Sequence, residues 1–265
     1  MQGDKLKFGS LFSGIGGFDL GFTRSGMECV WQVEIDKNCR KVLERHYPDV
    51  MRYEDVRECG KHNLKAVDLI CGGDPCPIRS RARSNGKSLH PDLSGYFLAV
   101  VAGLRPRWVV RENVPAPDDK DFSAALDYIG YRTIIIRMDA ASFLPQQRIR
   151  DFVIGCNKTS RESLENFCEV LSNGAGPVAP HLGARQVTPA LTTHRTRYDT
   201  RDCYIWDSGK LRILDGDERE RLAGFPAGWT SGLSETSRAR MFGNAVVPQI
   251  AEWIGRRLME IIEWR

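Results

Sequence analysis

The first 156 residues alternate between short apolar runs of strand type and segments of helical period, and this alternation limits the possible folds more than any other feature. Strands are predicted at residues 6–12, 29–33, 66–71 and 107–111, and helices at residues 15–25, 36–46, 94–104 and 121–129. Two further strands are predicted at residues 132–138 and 151–156. An order of strand, helix, strand and helix predicts an α/β fold with a doubly wound, mostly parallel sheet.

The pattern changes beyond residue 156. Residues 172–183 are rich in glycine and proline, which indicates irregular surface structure, and residues 199–214 alternate weakly, as short antiparallel strands do. Residues 247–264 return to a helical period. We therefore expect a sheet domain at residues 1–156, a small and mostly irregular or β domain at residues 157–237, and a C-terminal segment, residues 238–265, that rejoins the sheet domain.

Composition excludes several classes of protein. A hydrophobic content of 42% and a charged content of 27% are ordinary for a globular protein, and no apolar run reaches the roughly 20 residues of a membrane helix. The first residues lack the apolar region of a signal peptide, and the eight cysteines contain no Cys-x-x-Cys pair, which argues against a zinc site or a disulfide framework. We expect a cytoplasmic monomer that binds neither a membrane nor a metal.

Glycines follow the first predicted strand, in the run Leu-Phe-Ser-Gly-Ile-Gly-Gly-Phe at residues 11–18. Glycine permits a sharp turn and a close approach of the backbone to a ligand, and the N-terminus of the helix that follows favours a negative group. Glu34 ends the next strand, where a carboxylate can bind the hydroxyls of a ribose. The spacing indicates a ligand that contains adenosine, but it does not separate NAD from other adenosyl cofactors.

Two predicted strands end in groups that can carry chemistry. The run Asp-Leu-Ile-Cys-Gly-Gly-Asp-Pro-Cys-Pro at residues 68–77 presents Cys76 behind a proline, and the strand at residues 107–111 leads into Glu112. Because parallel strands place their carboxyl ends at one edge of the sheet, a thiol and a carboxyl group there indicate a nucleophile and its acid partner. A small apolar cysteine in a loop and a solvated glutamate are the alternative interpretation.

Positive charge is concentrated directly after Cys76. The net charge of +4 is too small to identify a partner, but residues 79–87 carry four positive charges and no negative one. Basic loops usually form solvated surface. A basic loop beside a candidate nucleophile is better explained by a substrate that bears phosphates.

Seven segments, in the same order along nearly the whole chain, resemble the motifs of the DNA cytosine-5 methyltransferases. They are Leu-Phe-Ser-Gly-Ile-Gly-Gly at residues 11–17, residues 34–36 with 55–56, Pro-Cys at 75–76, Glu-Asn-Val at 112–114, Gln-Gln-Arg-Ile-Arg at 146–150, residues 188–192 with 220–226, and Gly-Asn-Ala-Val-Val-Pro at 243–248. The resemblance implies a Rossmann-like methyltransferase fold that uses S-adenosylmethionine and acts on double-stranded DNA. It makes residues 1–156 the catalytic and cofactor-binding domain and residues 157–237 the target-recognition domain.

The resemblance also assigns residues to three tasks. Catalysis falls to Cys76, Glu112, Arg148 and Arg150. Cofactor binding falls to Phe12, Gly14, Gly16, Gly17, Glu34, Ile35, Asp55, Val56, Pro75, Asn244 and Ala245. DNA binding falls to residues of the basic loop, namely Arg79, Ser80, Arg81, Arg83 and Lys87.

The family's reaction defines the expected roles of the catalytic residues. The Cys76 thiolate would add to C6 of cytosine, Glu112 would contact N3 and the exocyclic amine, Arg150 would hold the O2 edge, and Arg148 would support the site. Such a base has to leave the duplex to be reached, so base flipping is implied.

The chain departs from the family pattern in several places. Pro77 replaces the usual glutamine, Arg79 stands where an aromatic residue is usual, and the Asp-x-Arg of the following motif is represented by Asp92-Leu93-Ser94. Only 29 residues, 156–184, fill the place of a much longer recognition region. We therefore expect a short target site.

The sequence favours DNA methylation over three alternatives. A tRNA cytosine-5 methyltransferase is disfavoured because the Cys-Phe-Thr tripeptide of that branch is absent. A catalytically silent nucleic-acid-binding regulator is disfavoured because all four candidate catalytic residues are present. A nicotinamide oxidoreductase would need a hydride-transfer site, which nothing in residues 157–237 suggests.

Overall fold

The computed structural model describes residues 5–75, 92–160, 164–173, 188, 190–191 and 204–263. The main sheet within these residues consists of β1 (Lys7–Leu11), β2 (Glu28–Val33), β3 (Met51–Tyr53), β4 (Leu69–Gly72), β5 (Trp108–Asn113), β6 (Tyr131–Asp139) and β7 (Ile149–Asn157). The helices are α1 (Gly17–Arg24), α2 (Lys37–His46), α3 (Ser94–Leu104), α4 (Asp118–Tyr128), α5 (Leu164–Asn173), α6 (Gly216–Leu222), α7 (Glu235–Asn244) and α8 (Pro248–Glu263). A separate hairpin pairs β8 (Tyr204–Asp207) with β9 (Lys210–Ile213).

The strand order of the main sheet is β3-β2-β1-β4-β5-β7-β6. Strands β1 to β5 run parallel, and β7 runs antiparallel to both β5 and β6. The predicted doubly wound, mostly parallel sheet is therefore confirmed. The order reverses between β1 and β4, and ligands of such sheets bind in the crevice outside the carboxyl ends of strands at this switch point.

Apolar residues cover both faces of the central strands. On one face, Phe8 and Phe18 pack in a core cluster with Ile254 of α8, and on the other, Val109 of β5 packs with Phe97 of α3. Full burial of one such side chain contributes about 1.5–3 kcal/mol. Because both faces are covered, β4 and the first half of β5 read in the sequence as continuous apolar runs.

The C-terminal helix α8 packs against α1, as its apolar period predicts. A glycine makes the close approach possible, because a Cβ atom at Gly21 would overlap the Pro248 carbonyl and the Ala251 side chain. This contact brings the last segment of the chain back to the helix that follows β1.

Several elements were not predicted. Strand β3, helix α7 and two helices within residues 157–237, α5 and α6, are present where the sequence suggested none. Helix α6 has the sequence Gly-Asp-Glu-Arg-Glu-Arg-Leu, which lacks an apolar period, and a capping box between Asp215 and Glu218 starts it instead. Phe167 of α5 lies on Trp108 in the core of the sheet, so this helix packs on the sheet itself. The division into domains remains a prediction.

Candidate active site

The loop after β1 has a backbone that favours glycine. Gly14 and Gly16 have φ angles of 56° and 84°, in the left-handed region, and Gly16 is the N-cap of α1. Phe12 also lies in this region and stacks on Phe97 with ring centroids 6.4 Å apart. A Cβ atom at Gly14 would meet nothing within 4 Å, so this side of the loop is open. The loop thus offers backbone groups to a ligand.

Glu34, directly after β2, accepts hydrogen bonds from two backbone amides. Its Oε2 accepts from Gly14 N and its Oε1 accepts from Asp36 N, each at 2.7 Å. Burial raises the pKa of the Glu34 carboxyl above its ordinary value. Each carboxylate oxygen has a second lone pair, so the group can still accept from two ribose hydroxyls. Ile35, next to it, is 66% exposed and offers an apolar surface.

The side chains of Asp55 and Val56 both make contacts within the protein. Arg57 donates from Nε to Asp55 Oδ1 at 2.9 Å and from Nη2 to Oδ2 at 2.5 Å, and this pairing lowers the pKa of Asp55. Val56 is buried in the core. Their contact with a cofactor remains a prediction.

The first and last predicted motifs lie together. A Cβ atom at Gly17 would overlap the carbonyl oxygen of Val246, so the start of α1 packs directly on the segment after α7. Asn244 is exposed at the end of α7, and Ala245 is the C-cap of that helix. Trp229, which the sequence did not single out, donates from Nε1 to the Ile15 carbonyl at 2.8 Å. The C-terminal part of the chain thus supports the glycine loop.

Arg148 holds the end of α7. Its guanidinium donates to the Gly243 carbonyl at 3.0 Å and to the Ala245 carbonyl at 2.9 Å, and the side chain is buried. These carbonyls lie at the C-terminus of the helix, where carbonyl groups have no hydrogen-bond partner within the helix. Arg148 therefore positions the Asn244 segment; its support of an active site remains a prediction.

Glu112 and Arg150 meet at the edge of the sheet. Glu112 is next to last in β5, and Arg150 is near the start of antiparallel β7, so both side chains come to the same end of the sheet. Arg150 Nε lies 2.9 Å from Glu112 Oε1, and the side chains are 13% and 9% exposed. A Cβ atom at Gly73 would lie 3.1 Å from Glu112 Oε2, so a glycine after β4 leaves room for the carboxylate.

The segment directly before Cys76 is held by charged and polar residues of β5. Arg111 donates to both carboxylate oxygens of buried Asp74, from Nε at 2.5 Å and from Nη2 at 3.0 Å. Asn113 Nδ2 donates to the Asp74 carbonyl at 3.1 Å. This pairing was not predicted from the sequence, although an arginine directly after the apolar run Trp108-Val109-Val110 was a signal for a buried partner.

The remaining predicted site residues lie outside the described part of the chain. They are Cys76 and the proposed DNA-binding residues Arg79, Ser80, Arg81, Arg83 and Lys87. Pro75 is described and partly buried. Among the described residues, no group of three or more histidine, cysteine or carboxylate side chains is placed to bind a metal ion. No helix in the described ranges combines the length and hydrophobicity needed to cross a bilayer.

Comparison with known proteins identifies the family of the chain. The family model "C-5 cytosine-specific DNA methylase" matches residues 6–175 and 172–260. The chain is 27% identical over 300 residues to the Type II methyltransferase M2.BsuMI of Bacillus subtilis, covering 96% of this chain and 76% of that protein. It is 25% identical over 315 residues to the Type II methyltransferase M.DsaV of Dactylococcopsis salina, covering 99% and 88% of the two chains.

Solved structures show the same fold. A protein described as a DNA modification methyltransferase encoded within an E. coli prophage superimposes with a TM-score of 0.71 at 20% identity, covering 98% of this chain and 100% of that one. The S. pombe Dnmt2 methyltransferase gives a TM-score of 0.70 at 16% identity, covering 97% and 99%.

The doubly wound sheet is the Rossmann-like fold that these solved methyltransferases share. Within that class, the chain belongs to the C-5 cytosine-specific DNA methylase family, and it is a DNA cytosine-5-methyltransferase.

Proposed function

We propose that this enzyme methylates C5 of cytosine in double-stranded DNA through a covalent bond between Cys76 and C6 of the base. The observation that carries the proposal is the Glu112–Arg150 pair, which lies at the carboxyl end of β5 directly beside the segment that leads into Cys76. A carboxylate and a guanidinium at one sheet edge, beside the segment that leads into a candidate nucleophile, match what attack on a cytosine ring needs.

The chemistry assigns a task to each group. Addition of the Cys76 thiolate to C6 pushes electron density to C5, which makes C5 a nucleophile. Glu112 contacts N3 and the exocyclic amine and offsets the charge that develops on the ring, while Arg150 orients Glu112 and holds the O2 edge. After methyl transfer, loss of the C5 proton restores the double bond and releases the Cys76 thiolate. The target base is flipped out of the duplex to reach these groups.

The residues of the glycine loop fit S-adenosylmethionine. The open side of Gly14 allows a ligand to approach the backbone, the Glu34 carboxylate can accept from ribose hydroxyls, and exposed Ile35 can cover one face of an adenine. Phe12, Gly16, Gly17, Asp55, Val56, Pro75, Asn244 and Ala245 complete the proposed pocket. When bound there, S-adenosylmethionine supplies an electrophilic methyl group.

The proposed DNA contacts lie in two segments. Arg79, Ser80, Arg81, Arg83 and Lys87 would bind DNA next to the target base, and residues 157–237 would read its neighbours. Arg79, Arg81 and Arg83 would also read part of the target site; the alternative is that these arginines contact phosphates alone. The 29 residues 156–184, which fill the place of a longer recognition region, can put few side chains on base edges, and each good contact discriminates by about 1–3 kcal/mol. Because few contacts support only a short site, we propose a target of two to four base pairs.

Labelled S-adenosylmethionine tests the proposed substrate. The protein is incubated with random-sequence duplex DNA or with tRNA, and the product is digested to identify the modified base and its neighbours. We expect 5-methylcytosine in DNA, within a motif of two to four base pairs. Label in tRNA alone would overturn the DNA assignment, and a six-base motif would overturn the short target.

A further inference from the structure

We propose that Arg111 is a positioning residue that fixes the chain immediately before the catalytic cysteine. Together with Asp74 and Asn113 it forms what we call the Asp74 clamp. The inference rests on the proposed function, because the clamp matters for catalysis only if Cys76, two residues after Asp74, is the nucleophile. Neither Asp74 nor Arg111 belongs to the segments that carried the family resemblance.

The guanidinium of Arg111 is buried and forms ion pairs with carboxylates on two sides. Its side chain is 2% exposed, and it forms a two-bond fork with the Asp74 carboxylate. On the other side, its Nη1 donates to Asp119 Oδ1 at 2.9 Å, and the guanidinium carbon lies 4.4 Å from the centre of the Phe122 ring. A fork of this kind restricts both the distance and the orientation of the carboxylate.

The clamp forms hydrogen bonds with both the side chain and the backbone of Asp74. Arg111 binds the carboxylate, while Asn113, two positions along β5, binds the main-chain carbonyl. Successive side chains of a strand point to opposite faces, so Glu112 between them faces the other way and meets Arg150. Three consecutive residues of one strand therefore set the Asp74–Pro75 segment on one side and the proposed catalytic carboxylate on the other.

Stabilisation of the fold does not by itself explain the buried ion pair between Arg111 and Asp74. Buried ion pairs are often no more stabilising than apolar residues of similar volume, because the desolvation cost offsets the attraction. Arg111 follows Val109 and Val110 in a strand that is buried throughout, where an apolar side chain would continue the pattern. The ions therefore provide specific geometry that apolar packing does not.

The charges also argue against direct activation of the thiol. The Arg111 guanidinium is already matched by Asp74 and Asp119, and Asp118 lies 3.8 Å from it as well. Little positive charge remains to stabilise a thiolate. We infer that Arg111 contributes by geometry, setting where Cys76 stands relative to Glu112.

The test replaces Arg111 with methionine, which keeps much of the volume and removes the fork. Thermal stability, S-adenosylmethionine affinity by calorimetry, KM for DNA, kcat, and the rate of covalent capture on DNA with 5-fluorocytosine are all measured. Because a displacement of about 1 Å can cost ~10²-fold in rate, we expect kcat and capture to fall about 100-fold. Cofactor affinity and KM should stay within about threefold.

Two further variants separate positioning from lost stability. Leu126→Ala removes a fully buried side chain in the core cluster that contains Phe122, so it should lower the melting temperature and leave kcat within about threefold. Asp74→Asn keeps the shape of the side chain and breaks the charged fork, so it reports on the clamp even if Arg111→Met fails to fold. The Asp74→Asn/Arg111→Met double variant should be no slower than Arg111→Met alone.

The outcomes distinguish this inference from the proposed function. If the native protein captures 5-fluorocytosine DNA and the variants capture it at the native rate, the clamp is refuted and the proposed mechanism stands. Independent losses that multiply in the double variant would also refute it. If the native protein methylates DNA without any captured complex, the Cys76 mechanism fails, and the clamp fails with it.

Discussion

The two halves of the functional sheet edge hold their groups by different means. Beside β1 and β2, the contacts come from the backbone: Gly14 N and Asp36 N bind Glu34, and a close approach at Gly17 fixes the loop against Val246. Beside β4, β5 and β7, the contacts come from buried charged side chains. Arg111 donates hydrogen bonds to Asp74, and Arg150 forms an ion pair with Glu112. We call these the cofactor half and the catalytic half.

The difference matches what each half has to do. Backbone amides keep their position as long as the fold is intact, so the cofactor half should respond mainly to steric changes and to loss of Glu34. Side-chain ion pairs respond to charge and pH, and each links residues that lie far apart in the sequence. Substitutions in the two halves should therefore fail in different ways, and four predictions test this.

The largest effect is expected in the catalytic half. Cys76→Ser should lower methyl transfer by about 10⁴-fold or more, because a serine hydroxyl stays protonated without a dedicated base. S-adenosylmethionine affinity should stay within about twofold, since the cofactor half is unaltered. Radiolabel transfer and calorimetry measure the two quantities, and the native protein should form a covalent complex with 5-fluorocytosine DNA that the variant does not form. Retained transfer by the variant would remove Cys76 from the mechanism.

In the cofactor half, Glu34→Ala should weaken S-adenosylmethionine binding roughly tenfold or more. Hydrogen bonds to a charged group are worth about 1.5–3 kcal/mol, and the variant also frees the amides of Gly14 and Asp36. Glu54→Ala is the matched control, because Glu54 is an exposed carboxylate paired with Arg40. Equal affinities of the two variants in calorimetry would contradict the proposed pocket.

Some of these features followed from local sequence. Asp36, the first residue of a predicted helix, is the N-cap of α2, because its side chain accepts hydrogen bonds from the amides of Asn38 and Cys39 within the same turn. Residues 94–104 form a helix with the predicted bounds. The glycine loop and the Glu112 position follow from strand ends, which short motifs mark.

Other features depend on contacts between distant residues. Asp74 and Arg111 are separated by 37 positions, and neither residue identifies the other as its partner from the sequence alone. Helix α6 is charged around most of its surface, yet Glu220 within it is buried and accepts bonds from Gly228 N and from the amide and hydroxyl of Thr230. A pattern based on apolar spacing cannot detect such elements, because their burial depends on charged partners.

A pair of glycine variants tests the steric side of the comparison. Gly17→Ala should destabilise the protein by about 1–3 kcal/mol, because the new methyl group overlaps the Val246 carbonyl and the backbone has to shift. Gly14→Ala meets open space, so its cost should be about 1 kcal/mol of backbone strain from the left-handed conformation. Urea unfolding compares the two. A larger cost at Gly14 than at Gly17 would show that conformation, rather than close packing, limits this loop.

The smallest expected effect concerns Asp119, on the far side of Arg111 from Asp74. Burial raises the pKa of the Asp119 carboxyl from 3.8 to about 6, mainly because the charged form is desolvated. A carboxyl whose pKa is higher in the folded protein than in the unfolded chain binds its proton more tightly when folded. Protonation of Asp119 therefore stabilises the fold, and this contribution appears as the pH falls through about 6 and is absent at pH 8.

Asp119→Asn removes the charge without changing the shape, so it should resemble the protonated native protein. We expect the variant to be more stable than the native protein by about 1–3 kcal/mol at pH 8, with the advantage decreasing between about pH 7 and pH 4. Urea unfolding of both proteins at pH 8, 6 and 4.5 measures the difference, in which the titration of all other groups largely cancels. The fork between Arg111 and Asp74 does not involve Asp119, so kcat should stay within about threefold. A stability difference that is constant with pH would show that Asp119 bears its charge at no cost, and that the catalytic half is less sensitive to pH than its buried ions imply.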